Sequence, residues 1–125
     1  MKKKSKVLIV DDNEADRVLM QEVIKKAVPE VEVHMAQSGE EGIKRANELR
    51  PQVIIVLDTL MPGMNGFEAC KKIKEMDPDS KVIICTGVVD AVDAAKARAA
   101  GADDYCVKTD DYEAIVNVIK NLIAS

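Results

Sequence analysis

The stretch Val53-Ile54-Ile55-Val56-Leu57-Asp58-Thr59 decides the fold. Five apolar residues in succession leave no face of a strand for water. That texture belongs to a strand buried on both sides, as in a parallel sheet covered by helices. Strand patterns also stand at 6–10, 81–85 and 105–107, whereas 31–35 alternates and suits a sheet edge. Between the strands lie helical patterns with start and stop signals. Asn13 caps a helix whose face carries Leu19, Val23 and Ala27 beside Met20 and Ile24, ending by Pro29. Ser38-Gly39-Glu40-Glu41 has capping-box spacing, and its helix stops before Pro51. Asn65 opens a third helix, closed near Asp77-Pro78. Asp90 caps a fourth, with Gly101 just past its end. Asp110 starts a fifth, with Ile115, Ile119, Leu122 and Ile123 inward. Regular strand–helix alternation with short loops predicts right-handed crossovers and a doubly wound α/β fold with a five-stranded parallel sheet.

The fourth helix differs in texture. Ala91, Ala94, Ala95, Ala97, Ala99 and Ala100 favour helix but offer little apolar area. Such a helix forms readily and docks weakly, so it is the element expected to shift.

Composition narrows the function. With 125 residues, one domain accounts for the chain; at 2% aromatic, its core must be aliphatic. Eighteen basic against twenty-two acidic residues give a net charge of −4, which argues against a surface built to neutralise nucleic-acid phosphates. Lys2, Lys3, Lys4 and Lys6 read as a solvated, flexible basic terminus at 1–5 and just beyond. No apolar run approaches the roughly 20 residues that cross a bilayer. After the lysines only 7–10 is apolar before Asp11, too short for a signal peptide, so a cytoplasmic, membrane-free protein is expected. Cys70, Cys85 and Cys106 lack metal-ligand spacing and read as reduced, buried thiols; the single His34 reads as structural.

In open α/β sheets the functional crevice lies beyond the carboxyl ends of the strands. Four segments end there: Asp11-Asp12, Asp58-Thr59, Thr86-Gly87 and Lys108-Thr109. If the strand order is 2-1-3-4-5, the first and third strands are neighbours and Asp11, Asp12 and Asp58 converge. Three crowded carboxylates repel, so one takes a proton or a cation enters. An all-oxygen set without histidine or cysteine favours Mg2+, which keeps several waters. Lys108 brings a second positive charge. With its charge so withdrawn, Asp58 can attack a phosphorus centre, and Thr86, the Gly87 amide and Lys108 can hold the phosphoryl oxygens. An acidic helix start is the plainer account of Asp11 to Asp16. It leaves the aspartate, threonine and lysine at three further strand ends unexplained.

With these segments in view, the chain resembles a response-regulator receiver domain of two-component signalling, of the chemotaxis-regulator type, over almost its full length. The likeness rests on Val-Leu-Ile-Val-Asp-Asp at 7–12, Leu-Asp-Thr-Leu-Met-Pro-Gly-Met-Asn-Gly at 57–66, Cys-Thr-Gly at 85–87 and Gly-Ala-Asp-Asp-Tyr-Cys-Val-Lys at 101–108. The resemblance implies a single receiver domain over 1–125 with the flavodoxin-like order 2-1-3-4-5. It also implies Asp58 as phosphoacceptor, with Asp11, Asp12, Asp58 and the Leu60 carbonyl around Mg2+. Thr59, Gly87, Thr86 and Lys108 would bind the phosphoryl group, and Tyr105 would be the aromatic switch. A histidine kinase or phosphotransfer protein would be the donor. A downstream protein would dock on the face of the fourth helix, fifth strand and fifth helix.

The sequence departs from the family in three places. Thr109 stands where proline usually follows the lysine. Pro51 precedes Asp58 by one residue more than usual, predicting a longer loop or bulge before the third strand. Leu60 and Val88, two residues beyond Asp58 and Thr86, are apolar and cannot orient an attacking water, so slow self-dephosphorylation is expected. A haloacid-dehalogenase phosphatase needs a second acid where Leu60 stands. A flavodoxin-like cofactor binder must wrap a phosphate in its first loop, where Asp11, Asp12 and Glu14 would repel that anion. The remaining alternative is a receiver-like docking module that works without phosphorylation.

Overall fold

A computed structural model describes residues 5–50, 53–87, 91–108 and 112–124. The elements run β1 (Lys6–Val10), α1 (Glu14–Ala27), β2 (Glu32–Ala36), α2 (Gly39–Leu49), β3 (Val53–Asp58), α3 (Gly66–Met76), β4 (Lys81–Thr86), α4 (Ala91–Ala99), β5 (Asp104–Val107) and α5 (Glu113–Ala124). All pairings are parallel, in the order β2-β1-β3-β4-β5. This is the doubly wound α/β architecture expected from the strand–helix alternation. β3 pairs with both β1 and β4 and is buried from Val53 to Leu57, as its unbroken apolar run requires. β2 lies at an edge and is only partly buried, which explains its alternation. It begins at Glu32 rather than 31. The β1–β3 ladder is continuous from Lys6↔Val53 to Val10↔Leu57, so no bulge interrupts it. Residues 51–52, where a longer loop was expected, lie outside the described residues, as do Val88, Asp90, Thr109 and Asp110.

Side chains alternate across the sheet into two cores. One, with Val7, Ile9, Val56, Ile83 and Cys85, is roofed by Met20 and Ile24 of α1 and Ile115 and Ile119 of α5. The other, with Leu8, Val10, Ile55, Leu57 and Ile84, is covered by α2, α3 and α4 through Ala46, Cys70, Ile73 and Ala97. Leu19 does not join the α1 interior: it is 42% exposed, because a helix turns about 100° per residue and Met20 and Ile24 define the inward direction. All three cysteines are free and buried. His34 meets Arg45 Nη2 at 3.2 Å through Nδ1, tying β2 to α2. Among the described residues, no helix is long and apolar enough to cross a membrane.

The helix caps follow the sequence signals. Asn13, Ser38 and Asn65 side chains accept from the backbone N–H groups of Asp16, Glu41 and Glu68. The Glu41 carboxylate reaches back to the Gln37 amide rather than to the cap residue, a shifted capping box. At the end of α4, the Ala102 N–H donates to Ala97 O and the Gly101 N–H to Arg98 O, with Gly101 at φ +89°. This pairing closes the helix in a Schellman turn. Lys74 Nζ, on α3, binds the carbonyls of Pro78 and Ser80 and the Asp103 carboxylate just beyond that turn.

Candidate functional site

The site forms where the sheet's carboxyl edge meets its two central strands. β1 ends at Val10 opposite Leu57, so Asp11 and Asp58 leave the sheet side by side. Carboxylate oxygens of Asp11, Asp12 and Asp58 all lie within 4.8 Å of one another, the convergence that the strand order required. Asp11 is fully buried, Asp58 partly buried and Asp12 exposed, so the cluster opens to solvent on one side. The turn beneath it is fixed by hydrogen bonds: Asn13 N–H donates to Asp11 Oδ1 at 2.9 Å, and Arg17 Nη1 donates to Asp11 O at 2.8 Å.

Asp58 is held by the loop that follows it. The Thr59 N–H donates to Asp58 Oδ1 at 2.9 Å, and the Gly66 N–H donates to Thr59 O at 3.1 Å. A side chain at Gly66 would place its Cβ 2.1 Å from the Asp58 carbonyl oxygen. Only glycine lets the start of α3 come this close to the strand end. The loop between them turns at Gly63, whose φ is +80°. Leu60 is 82% exposed at the rim.

Across the pocket, Thr86 ends β4, buried, with Thr59 Oγ1 3.4 Å from its own Oγ1. Gly87 follows with open space around it. β5 delivers Lys108, whose backbone N–H donates to Thr86 O at 2.6 Å. Its Nζ lies 2.6 Å from Asp11 Oδ2, 3.2 Å from Asp16 Oδ2 and 3.5 Å from Asp58 Oδ1. Tyr105 stands on the other side of β5, half-buried against α4. There Ala94, Ala97, Arg98, Ala102, Asp103, Asp104 and Tyr105 line a recess of about 340 Å³.

Two charges are strongly perturbed. Burial, and then the negative charge of Asp11, push the Asp58 carboxyl up from 3.8 to about 6, outweighing Lys108 and the Thr59 amide. For Lys108, burial acts to lower the ammonium's pKa. The Asp11 hydrogen bond and the charges of Asp58 and Asp11 outweigh that and hold it above its ordinary value. The pocket therefore carries more negative charge than its single lysine satisfies. Its donors are oxygens alone, which fits a hard divalent cation such as Mg2+.

Of the residues that the sequence placed around one pocket, Asp11, Asp12 and Asp58 converge, Lys108 reaches Asp11 and Asp58, and Thr59 lies between Asp58 and Thr86, which Gly87 follows in the chain. Tyr105 belongs to the neighbouring recess. Sequence reading missed Asp16 as a partner of Lys108, and Tyr112, whose hydroxyl reaches Asp16 Oδ1 at 3.4 Å. Its one available signal was the position of Asp16 on the first turn of α1, just above Asp11.

Comparison with known proteins agrees with this geometry. The response regulator receiver domain profile matches residues 7–120. The chemotaxis protein CheY of Thermotoga maritima is 39% identical over 103 residues, covering 82% of this chain and 84% of CheY. The response regulator VraR of Staphylococcus aureus is 34% identical over 115 residues, covering 92% of this chain but 54% of VraR. The chain thus spans about half the length of that relative. Among solved structures, the response regulator TrrA of Thermotoga maritima, in complex with Mg(2+)-BeF, superposes with a TM-score of 0.84 at 28% identity over 94% of this chain and 98% of TrrA. The BeF3-activated DrrB receiver domain gives a TM-score of 0.83 at 28% identity, covering 98% of this chain and all of DrrB's domain. The acid-lined carboxyl edge, the order β2-β1-β3-β4-β5 and the profile match make the chain a member of the response regulator receiver domain family of two-component systems.

Proposed function

We propose that this chain is a signalling switch that takes a phosphoryl group on Asp58 from a histidine kinase, a phosphotransfer protein or a small phosphodonor. The observation that carries the reading is Asp58 itself: a partly buried carboxylate with a raised pKa, between the acids of β1 and the ammonium of Lys108. Asp11, Asp12, Asp58 and the Leu60 carbonyl are the residues that would hold Mg2+. When bound, the ion withdraws charge from the acids and from the incoming phosphoryl oxygens. An Asp58 oxygen attacks phosphorus, the bond to the donor's nitrogen or oxygen breaks, and the leaving group departs with its electron pair. Thr59 and Gly87 amides, Thr86 Oγ1 and Lys108 Nζ receive the three oxygens. The product adds about 1.5 to 2 negative charges at one point.

The consequence runs outward along β4 and β5. Thr86 gains a partner toward Asp58, Tyr105 turns into the space behind it, and α4 adjusts. Both arrangements exist beforehand and the phosphoryl group shifts their populations. The output is a changed surface on α4, β5 and α5, including the Tyr105 recess, for a downstream protein. No external substrate is turned over. Leu60 at the rim and Val88, two residues after Thr86 in the sequence, are apolar and offer no group to orient a water, so hydrolysis is slow.

Incubation with acetyl phosphate tests this directly. Mass spectrometry should find one added phosphoryl group with Mg2+ and little without it, and none on Asp58→Asn. Equal labelling of Asp58→Asn would overturn the assignment.

A further inference from the structure

Lys108 Nζ touches three carboxylates, and only two of them belong to the acid cluster. Asp11 and Asp58 do; Asp16 does not. The third contact is braced. The Asp16 N–H donates to Asn13 Oδ1, whose own N–H donates to Asp11 Oδ1, so the turn carrying both acids is one hydrogen-bonded unit. From the opposite side, Tyr112 reaches Asp16 Oδ1 with its hydroxyl. Tyr112 is 5% exposed and has a φ of 54°, the one non-glycine residue with positive φ among those described. A bulky side chain in that region is strained and persists only where its surroundings fix it. Here the buried ring and the hydroxyl contact supply the fixing, and Tyr112, just before α5, is bound to the α1 carboxylate that also holds Lys108.

We infer that Asp16, braced by Tyr112, is a positioning residue that keeps the Lys108 ammonium in the pocket when Asp11 is taken up by a divalent cation. The inference rests on the proposed phosphoryl-transfer reading and deepens it. Without the cation, Lys108 neutralises Asp11 from 2.6 Å. A hard cation on Asp11, Asp12 and Asp58 claims those oxygens and repels the ammonium. Asp16 is then the carboxylate left to it, and it holds Nζ within a short movement of Asp58, at 3.5 Å in this structure. By drawing the lysine off Asp11, Asp16 also eases entry of the cation.

The test is an NMR titration with Mg2+ on the whole protein, following backbone amides and the Lys108 ammonium cross-peak. In the parent protein the ammonium signal should persist at saturating Mg2+. In Asp16→Asn, which keeps an oxygen for Tyr112 but loses the charge, the signal should exchange away and Mg2+ affinity fall about two- to fivefold, the range of a partly exposed ion pair. Asp16→Glu should restore the signal, and Tyr112→Phe should weaken it with Asp16 intact. A signal absent from the Mg2+-loaded parent, or unchanged along with affinity in Asp16→Asn, overturns the inference. Should Asp16→Asn fail to fold, an unaltered signal in Tyr112→Phe overturns the brace. Acetyl phosphate labelling of the parent in parallel separates this outcome from failure of the phosphoacceptor assignment.

Discussion

α3 and α4 lie on the same face of the sheet and each follows a strand that ends at the pocket, yet they are attached in opposite ways. α3 begins at Gly66, pressed against the Asp58 carbonyl, and buries Ala69, Cys70 and Ile73. α4 buries Ala97 alone among its described side chains, and Val92 in its first turn is 61% exposed. The difference follows from side-chain size. A helix whose inward residues are alanines removes little apolar area from water, so its docking energy is small although its backbone is stable. The half of the pocket carrying Asp58 is thus bolted down, while the half that follows Thr86 has a light roof.

The contrast can be broken or sharpened by experiment. Ile73→Ala should cost about 3–4 kcal/mol in chemical denaturation, because a fully buried side chain under α3 is lost. A loss below about 1 kcal/mol would mean that α3 is no better anchored than its neighbour. Next comes the charge stored on the rigid side. The folded-state pKa of Asp58, about 6, lies above its unfolded value of 3.8, so the folded protein binds the extra proton. Without divalent cation, this group's contribution to stability is fully present below about pH 4 and is lost as pH rises through about 6. Asp58→Asn should therefore raise stability at pH 7 by about 1–2 kcal/mol after allowance for solvent screening, with the gain vanishing below pH 4. Thermal melts across that window check the sign. Smallest is Val92→Ala on α4, expected to shift stability within about 0.5 kcal/mol. In hydrogen exchange, amides in the first turns of α4 should open sooner than those of α3.

Much of this was legible in the chain. The apolar run 53–57 announced a central parallel strand, Asn13, Ser38 and Asn65 marked helix starts, and the alanines of α4 foretold its shallow burial. Asp11, Asp12 and Asp58 were readable because strand ends deliver residues to one edge whatever the packing. What escaped depends on side-chain reach. Leu19 shares the spacing of the inner residues and still points outward, since the facing sheet and not the period selects the buried arc. Asp16 looks like any acid in a first helical turn until a lysine from 92 positions away arrives beside it. Tyr112 required a backbone angle that no composition rule assigns to tyrosine.

The Schellman turn at Gly101 and the Lys74–Asp103 pair fasten the rear of α4. A nine-residue rod is about 13 Å long, so pivoting by about 10° at that end swings its front by about 2 Å. On the switch proposed above, a rearrangement at the pocket would then show as a displacement of that front while the Gly101 end stays still. Tightening the Gly101 end should then shrink that displacement without touching the chemistry.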